Sequence, residues 1–374
     1  MTSTDRLLSS YQYELPKELI AQTPVVPRDH SRLLVVESPT THSHHHFYDL
    51  PNWLRPGDLL VLNNSRVLPA RLYGRKSTGA PVEILMLREQ SENCWLCLVK
   101  PGKRFKIGTQ VLFTPPNVPE SEADVGLWAK VIARDEQTGG RYLEFQVPSG
   151  ESLMELVAQV GEIPFPPYVT DSEASPDQYQ TVYAEVDGSA AAPTAGLHFT
   201  EDLLATLTAQ GITQSQLTLH VGVGTFRPVE SEDISQHTMH DEWFSINSKT
   251  VQQIQETKAA GGRVIAVGTT VARALEGAAQ QQNGQLTQPF TGSTNLFIYP
   301  GYEWQVVDGM ITNFHLPGSS LLIMISALVG RERLLALYQE AIAEQYRFYS
   351  FGDAMLILPD AVQTESATEA EARP

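Results

Sequence analysis

One histidine stands within a run of small and apolar residues between Gly188 and Thr200. The run is GSAAAPTAGLHFT, and His198 is its only ionisable side chain. Thr200 is a favourable N-cap for the segment that follows, with Glu201 and Asp202 in the first turn, where the helix dipole favours acids. Because small residues let backbone amides approach a ligand closely, the run is either a ligand-binding loop or a tight connection between packed elements.

A second candidate turn follows a short apolar strand. The residues RVIAV at 263–267 predict a buried strand, and Gly268, Thr269 and Thr270 lead from it into a helix. Such a turn exposes helix N-terminal amides and two hydroxyls, which suit a phosphate, a carboxylate or a hydroxylated sugar. The chain has neither a P-loop nor a GxGxxG motif, so a turn without ligand is the alternative interpretation.

Histidines recur in the second half of the chain. They are His198, His220, His237, His240 and His315. His237 and His240 have i, i+3 spacing, which is one arrangement of zinc ligands, but the HExxH frame is missing. Isolated imidazoles suit acid–base or hydrogen-bonding roles. A metal-dependent hydrolase built on these histidines is the rival hypothesis, and a buried histidine without function is the alternative for each one.

The turns just described share a position in the predicted fold. Asn313–Pro317 ends a strand and precedes a helix, as Gly268–Thr270 does, and Gly196–Thr200 also leads into a helix. In α/β sheets such turns gather at the carboxyl ends of the strands, where ligands bind. We therefore expect a small-molecule enzyme with its site at that edge.

Two patterns divide the chain. Apolar strands alternate with helical patterns outside residues 66–149, whereas short β-rich runs between glycines and prolines fill that segment. We predict an α/β fold class: a large α/β domain with an inserted small antiparallel β-barrel domain. The predicted boundaries are 1–65 and 150–359 for the catalytic domain, 66–149 for the barrel and 360–374 for a disordered acidic tail.

Length, composition and terminal sequence narrow the classes of protein to which the chain can belong. The 374 residues suffice for two domains. No apolar run reaches the ~20 residues of a membrane span, and the first residues lack the features of a signal peptide, so we expect a cytoplasmic protein. Cys94 and Cys97 have no second cysteine pair, so we interpret them as ordinary strand residues. The histidine run His42–His46 is interpreted as a solvated loop, with metal binding as the alternative.

Charge is unevenly distributed. The formal net charge is −17, yet residues 55–106 hold ten basic and four acidic residues. A strongly acidic protein is a poor general polyanion binder, so any nucleic acid would bind this basic window. A solvated surface with chance charge is the alternative.

Long segments of the chain resemble the S-adenosylmethionine:tRNA ribosyltransferase-isomerase family of queuosine biosynthesis. The matching segments span nearly the whole chain: Tyr13–Pro16, Arg28–Asp29, Ser31–Val35, Gly57–Val67, Lys100–Arg104, Gly161–Pro164, Tyr179–Ala184, Ala192–Thr200, His220–Val229, His237–His240 with Glu242, Asn313–Pro317, Tyr346–Phe348 and Gly352–Met355. Gly318 stands where a lysine is expected, and the histidine run and the acidic tail are peculiar to this chain.

The resemblance implies a reaction. The ribosyl part of S-adenosylmethionine would be transferred and isomerised onto 7-aminomethyl-7-deazaguanine (preQ1) at the wobble position of a tRNA anticodon. Epoxyqueuosine-tRNA, adenine and methionine would be the products. S-adenosylmethionine would thus be consumed as a substrate, and no metal would be needed. We expect a monomer without membrane contact. A tRNA-binding module without catalysis is a second rival, which adenine release would exclude.

The implied chemistry assigns candidate residues. His198, His240 and His315 are acid–base candidates, and Glu242 is an orienting or amine-accepting carboxylate. The expected S-adenosylmethionine site comprises Thr194, Gly196, Gly222, Gly224, Thr225, Gly268, Thr269, Thr270 and Arg273, with Arg273 near the methionine carboxylate. The expected tRNA-binding residues are Arg66, Arg71, Arg75, Lys76, Lys100, Lys103, Arg104 and Lys106.

Overall fold

Two contact units make up the chain in the computed structural model, which describes residues 2–115, 126–136, 138–170, 172–222 and 229–362. The first unit is Met1–Ser65, Pro167–Val186 and Pro193–Pro374, and the second is Arg66–Pro166 and Asp187–Ala192. Most of the predicted acidic tail, from residue 363 onward, lies outside the described residues.

The strands and helices of the described residues are numbered in chain order. The helices are α1 (Leu153–Val160), α2 (Glu201–Ala209), α3 (Ser248–Ala259), α4 (Thr269–Gln281), α5 (Ser320–Val329) and α6 (Arg331–Ala343). The strands are β1 (Arg32–Val36), β2 (His42–His46), β3 (Leu59–Asn63), β4 (Ser65–Val67), β5 (Arg71–Lys76), β6 (Pro81–Ser91), β7 (Cys94–Lys100), β8 (Gln110–Phe113), β9 (Leu127–Arg134), β10 (Arg141–Gln146), β11 (Gly161–Glu162), β12 (Val186–Ser189), β13 (Thr213–Leu219), β14 (Glu242–Ile246), β15 (Val264–Val267), β16 (Phe290–Thr294), β17 (Gly309–Asn313) and β18 (Ala354–Ile357).

A mixed sheet organises the first unit. Among the described strands its order is β16-β14-β13-β3-β15-β17-β18-β1-β2. The central strands β13, β3, β15 and β17 are parallel, and β18 pairs antiparallel with β17 and parallel with β1. The carboxyl ends of the four central strands therefore share one edge with the amino ends of β1 and β18. This is the edge at which α/β sheets bind ligands.

Strands β3 and β15 lie at the centre of the sheet and are apolar on both faces, as strands covered by helices require, whereas β13 alternates between buried and more exposed residues. All residues of β3 and β15 are buried. One side of the sheet packs Leu60, Ile265 and Ile311 against Phe199 and Leu203 of the α2 region. The Thr200 side chain accepts a hydrogen bond from the Leu203 amide at 3.2 Å, which confirms the predicted N-cap.

A closed β-barrel forms most of the second unit. Its six strands run in the order β5-β6-β7-β10-β9-β8, and β8 pairs with β5 to close it. At the closure, a Cβ on Gly74 would lie 2.5 Å from the carbonyl oxygen of Leu112, so only glycine permits this approach. The α/β fold class with an inserted antiparallel barrel is confirmed.

Helix α1 packs with the barrel, although the predicted boundary at 149/150 assigned it to the α/β domain. Its apolar residues Leu153, Val157 and Val160 join the barrel core. The prediction used the change from strands to a helix as a boundary, whereas the amphipathic face of α1 decides where the helix packs. Cys94 and Cys97 are buried free thiols on β7, as expected of ordinary strand residues.

Two local predictions were wrong. The histidine run forms the edge strand β2 rather than a loop, because it pairs along its whole length with the buried β1. The residues LFIY at 296–299 predict a strand from sequence, but they lie outside any strand, and the strand of this region is β16, which pairs with β14. Neither strand shows the apolar alternation on which the prediction relied. In the part of the chain that the structure describes, no helix has the length and apolar character that crossing a membrane requires.

Candidate active site

Three turns meet at the carboxyl edge of the central strands. The turn at Thr194–His198 approaches the end of β17, where Thr194 Oγ1 donates to Asn313 Oδ1 at 2.9 Å. The turn before α4 lies close to it, since a Cβ on Gly268 would be 3.5 Å from Cβ of Ala195. The sequence placed these turns at one edge, and in the structure they are in contact.

His198 is fully buried and hydrogen-bonded through both ring nitrogens. Nδ1 lies 2.7 Å from Ser31 Oγ, and Nε2 lies 3.0 Å from Asn313 Nδ2. The Asn313 amide nitrogen also donates to the carbonyl of Tyr349 at 3.2 Å, which fixes the orientation of the amide. Nε2 of His198 is therefore an acceptor, so the proton sits on Nδ1 and is donated to Ser31. The ring stacks on Phe47 with 5.0 Å between centroids.

The His198 imidazole is neutral. Burial lowers its pKa well below the usual 6.5, and the nearby positive charge of Arg28 lowers it further. A ring with a fixed tautomer and two partners holds its neighbours in place. This geometry suits positioning better than proton transfer, which requires a group that changes charge near the working pH.

His315 is held at a different place. Its Nε2 lies 2.7 Å from Thr312 Oγ1, and its backbone amide donates to the Tyr338 hydroxyl at 2.9 Å. Adjacent strand residues point to opposite faces, so Thr312 and Asn313 direct His315 and His198 to opposite sides of β17. The structure thus keeps these two predicted acid–base candidates apart. Burial lowers the pKa of His315 to about 3.

This depressed pKa predicts a pH-dependent stability. Between about pH 6.5 and pH 5 the unfolded state binds a proton on His315 that the folded state excludes, so the free energy of unfolding falls as the pH falls. The contribution is about 1.4 kcal/mol per pH unit. His315→Gln should flatten the slope by that amount in urea titrations across this range. His30→Gln, at an exposed position, is the control; equal slopes for His315→Gln and wild type would refute the prediction.

Glu242 and Arg273 form a buried ion pair beside the start of α4. One oxygen of Glu242 bonds to the Arg273 guanidinium, and the other accepts the Gly222 amide at 3.4 Å. Arg273 also donates to the carbonyl oxygens of Leu296 at 3.2 Å and of His240 and Thr294 at 3.5 Å. Both side chains are nearly inaccessible. A substrate carboxylate would have to displace Glu242 to reach Arg273.

His240 differs from the other two histidine candidates. Its side chain is exposed, and within the described residues its ring forms no hydrogen bond. Its backbone carbonyl accepts a hydrogen bond from Arg273 at 3.5 Å, which places the main chain of His240 beside the buried pair. Of the three predicted acid–base histidines, His240 is the one with an exposed side chain, whereas His198 is buried with both ring nitrogens hydrogen-bonded and His315 is half-buried with Nε2 hydrogen-bonded to Thr312.

The predicted S-adenosylmethionine residues are only partly described. Gly268 has φ of 96° and donates its amide to the Ile311 carbonyl at 2.8 Å, which starts α4 directly at the strand end. Thr269 and Thr270 are buried in its first turn. Gly224 and Thr225 lie outside the described residues.

Gly196 makes room for a tyrosine that sequence analysis missed. A Cβ at this position would lie 2.0 Å from the Tyr183 hydroxyl, so glycine is required. The loop at Arg28–Ser31 was also missed as a partner of the His198 turn. Arg28 donates to the Leu197 carbonyl at 3.0 Å, and Thr200 donates to Asp29 at 2.8 Å. The sequence signal for this loop was that Arg28 and Asp29 belong to a segment shared with the family, although no role was predicted for them.

The histidine run contributes a cluster elsewhere in the unit. His42 and His44 lie on one face of β2, and their Nε2 atoms are 2.8 and 3.0 Å from the same Glu340 oxygen. These three residues are the group within the described chain that could hold a metal ion, and none of the second-half histidines belongs to it. Arg333 donates to Nδ1 of His42 at 2.9 Å, which leaves the His42 proton on Nε2 and favours hydrogen bonding to Glu340 over metal ligation.

Basic residues on the barrel fall into two groups. Arg71 and Lys100 lie 3.5 and 3.9 Å from Glu83, Arg66 lies 3.7 Å from Asp187, and Arg75 contacts the Gly79 carbonyl at 3.4 Å. The second group lines an open groove of about 460 Å³, together with four hydroxyl-bearing or amide residues. These basic residues are Lys76, Lys103 and Lys106. The Arg104 side chain lies outside the described structure.

The fold and the edge geometry define an α/β protein with a polar site at the sheet edge and an inserted barrel. Comparison with known proteins gives the family. Residues 8–357 match the family model described as queuosine biosynthesis protein. A Nostoc protein named S-adenosylmethionine:tRNA ribosyltransferase-isomerase is 61% identical over 96% of this chain and 94% of its own. A Desulforamulus reducens protein of the same name is 49% identical over 94% and 99%.

A solved structure agrees. The crystal structure of S-adenosylmethionine tRNA ribosyltransferase from Thermotoga maritima is 36% identical, covers 93% of this chain and all of its own, and superposes with a TM-score of 0.52. The chain belongs to the queuosine biosynthesis family of S-adenosylmethionine:tRNA ribosyltransferase-isomerases.

Proposed function

We propose that this chain transfers and isomerises the ribosyl part of S-adenosylmethionine onto preQ1 in a tRNA anticodon, releasing adenine and methionine. The observation that carries the proposal is near-full-length identity to relatives of that name, combined with a polar site at the carboxyl edge of the sheet. The test is mass spectrometry of preQ1-containing tRNA after incubation with S-adenosylmethionine. Epoxyqueuosine should appear together with equal amounts of adenine and methionine, and unchanged tRNA would refute the proposal.

The chemistry sets four requirements. A base must remove a proton from the ribose carbon beside the sulfonium, and adenine needs a proton or hydrogen bond as it leaves. The attacking amine must be neutral, and water must be kept from the reactive intermediate. Buried small-residue turns meet the last requirement, and an accessible imidazole meets the first.

We assign His240 to proton transfer, because its ring is exposed and hydrogen-bonded to no described residue. His198 is assigned a positioning role: its two hydrogen bonds hold Ser31 and Asn313 beside the Thr194–His198 turn. The Gly268–Thr270 turn lies between this cluster and the Glu242–Arg273 pair, which is a suitable place for the sugar and base of S-adenosylmethionine. His315 supports the strand end from the opposite face.

The barrel groove is assigned to the tRNA backbone. Three lysines with hydroxyl neighbours present donors to phosphates without base specificity. Lys76, whose Nζ lies 5.0 Å above the Phe105 ring, and Lys103 and Lys106 are the strongest candidates among the eight predicted basic residues. Arg66, Arg71, Arg75 and Lys100 do not line the groove and are weaker candidates.

Charge reversal in the groove is therefore expected to weaken tRNA binding. Lys103→Glu should raise the tRNA KM and reduce the slope of log K against log salt by about 1, because one phosphate contact is lost. The measurement is tRNA binding at several salt concentrations. Arg134→Glu on β9 is the matched control, since Arg134 pairs with Glu136 and is not among the residues that line the groove. Identical slopes for both variants would remove the groove from the interface.

The rival hypothesis of a metal-dependent hydrolase is no longer supported, because the second-half histidines do not form a metal-ligating group among the described residues. A tRNA substrate supports a cytoplasmic location. A monomer is expected, and light scattering would test it.

A further inference from the structure

One guanidinium in the α/β unit has donors without acceptors. Arg28 Nε donates to the Leu197 carbonyl at 3.0 Å. Both terminal nitrogens are shielded from solvent, and no described residue accepts a hydrogen bond from either. Buried polar groups in folded proteins nearly always have partners, and a charged donor left without one is strongly unfavourable. The chain thus keeps a costly cation beside the Thr194–His198 turn.

The local charge is positive. Burial, together with repulsion from the nearby Arg347, lowers the pKa of Arg28 to about 10, and Asp353 opposes this shift. The neighbouring carboxylate of Asp353 is occupied by the backbone amides of Arg32 and Arg347, at 2.8 and 2.7 Å. An anion placed on Arg28 would therefore meet two guanidinium groups and one carboxylate that is already satisfied.

We propose that Arg28 binds the carboxylate of the methionine part of S-adenosylmethionine, and this inference rests on the proposed function. A guanidinium fork with two unpaired terminal nitrogens matches a carboxylate in bidentate geometry. Arg273 is the residue expected for this role from sequence, but its guanidinium is already hydrogen-bonded to Glu242 and to three backbone carbonyls. A tRNA phosphate is a poorer fit, because the terminal nitrogens of Arg28 are shielded from solvent, whereas the barrel lysines line an open groove.

Arg28 is a binding residue under this proposal, and it is placed next to the positioning residue His198 through the Leu197 carbonyl. The side chains that now cover its terminal nitrogens have to move when the carboxylate enters. The carboxylate would then be enclosed away from water, where charge-assisted hydrogen bonds are strongest. The same enclosure would orient the sulfonium towards the sheet edge.

The test combines a protein change with a ligand change. Binding of S-adenosylmethionine and of its decarboxylated analogue is measured by calorimetry for wild type, Arg28→Gln and Arg28→Lys. Wild type should bind S-adenosylmethionine about 10–100-fold more tightly than the analogue. Arg28→Gln should bind S-adenosylmethionine about 10–100-fold more weakly than wild type, with little change for the analogue, and Arg28→Lys should lie between them.

A stability measurement separates binding from a structural role. Because Arg28 is under-satisfied in the free protein, Arg28→Gln should leave the thermal unfolding midpoint unchanged or raise it. Arg32→Gln is the control; its guanidinium stacks on Tyr346 and pairs with Glu344, so neither ligand's affinity should change.

Three results would overturn the proposal. If Arg28→Gln bound both ligands more weakly by the same factor and had a lower thermal unfolding midpoint, the role of Arg28 would be structural. A rise in the tRNA KM alone would assign it to phosphate. Retention of the preference for S-adenosylmethionine in Arg28→Gln would place the carboxylate elsewhere. Each leaves the proposed function standing, whereas wild type that binds neither ligand and releases no adenine would overturn the function as well.

Discussion

Replacing His240 by alanine should lower turnover by about 10²–10⁴-fold, the usual range for loss of a general acid or base. The ring is exposed and its side chain forms no hydrogen bond within the described residues, so the protein should remain folded. Adenine release from S-adenosylmethionine in the presence of preQ1-tRNA measures the effect. Added imidazole should restore part of the activity, because a small base can occupy the space that the side chain leaves.

His237→Ala is the matched control, three residues earlier on the same segment. His237 packs edge-on against Phe297 with 5.2 Å between centroids and has no assigned role in the reaction. Turnover of this variant should stay near that of wild type. Normal activity in folded His240→Ala would show that the proton is moved by another group.

Breaking the Arg273–Glu242 pair should cost about 3–5 kcal/mol of unfolding free energy. Arg273→Met leaves the Glu242 carboxylate buried without its partner, and the Leu296 carbonyl loses a donor. Urea unfolding of the single variant against wild type measures the loss. Affinity for S-adenosylmethionine should fall in parallel, since the pair supports the first turns of α4.

The double variant Arg273→Met/Glu242→Leu provides the control. Removing both charges abolishes the unpaired carboxylate, so most of the lost stability should return. If the double variant is less stable than either single variant, the two residues act independently and the buried pair is not the cause.

The architecture was predictable from sequence because the two units differ in their pattern of apolar residues. Continuous apolar runs such as residues 59–62 and 264–267 indicate buried parallel strands, and frequent short runs between glycines indicate a barrel. Strand β2 was not predictable in this way. Its five residues are four histidines and a serine, and only pairing with β1 makes it a strand. The unit to which α1 belongs was likewise not predictable, because it depends on which core the apolar face of the helix packs against.

The sequence predicted which turns form the candidate site, but it predicted the roles of the individual residues less well. Thr194, Gly268 and Asn313 do meet, because turns after parallel strands share an edge. Residue type could not distinguish an imidazole locked by Ser31 from one open to substrate, since burial and partners decide that. The same holds for Arg28 and Arg273, which differ in the acceptors that surround them.

The pairing of β11 with β5 has a consequence for how this chain can evolve. Gly161 and Glu162, near the exit of the inserted segment, are hydrogen-bonded to Leu72 and Arg71 near its entry. Because the two ends of the inserted segment are held together by this pairing, sequence changes within the segment leave the strand register of the mixed sheet in the first unit unaltered. If the groove binds tRNA as proposed, selection can replace its lysines to suit a different tRNA population without altering the strand pairing of the sheet in the first unit.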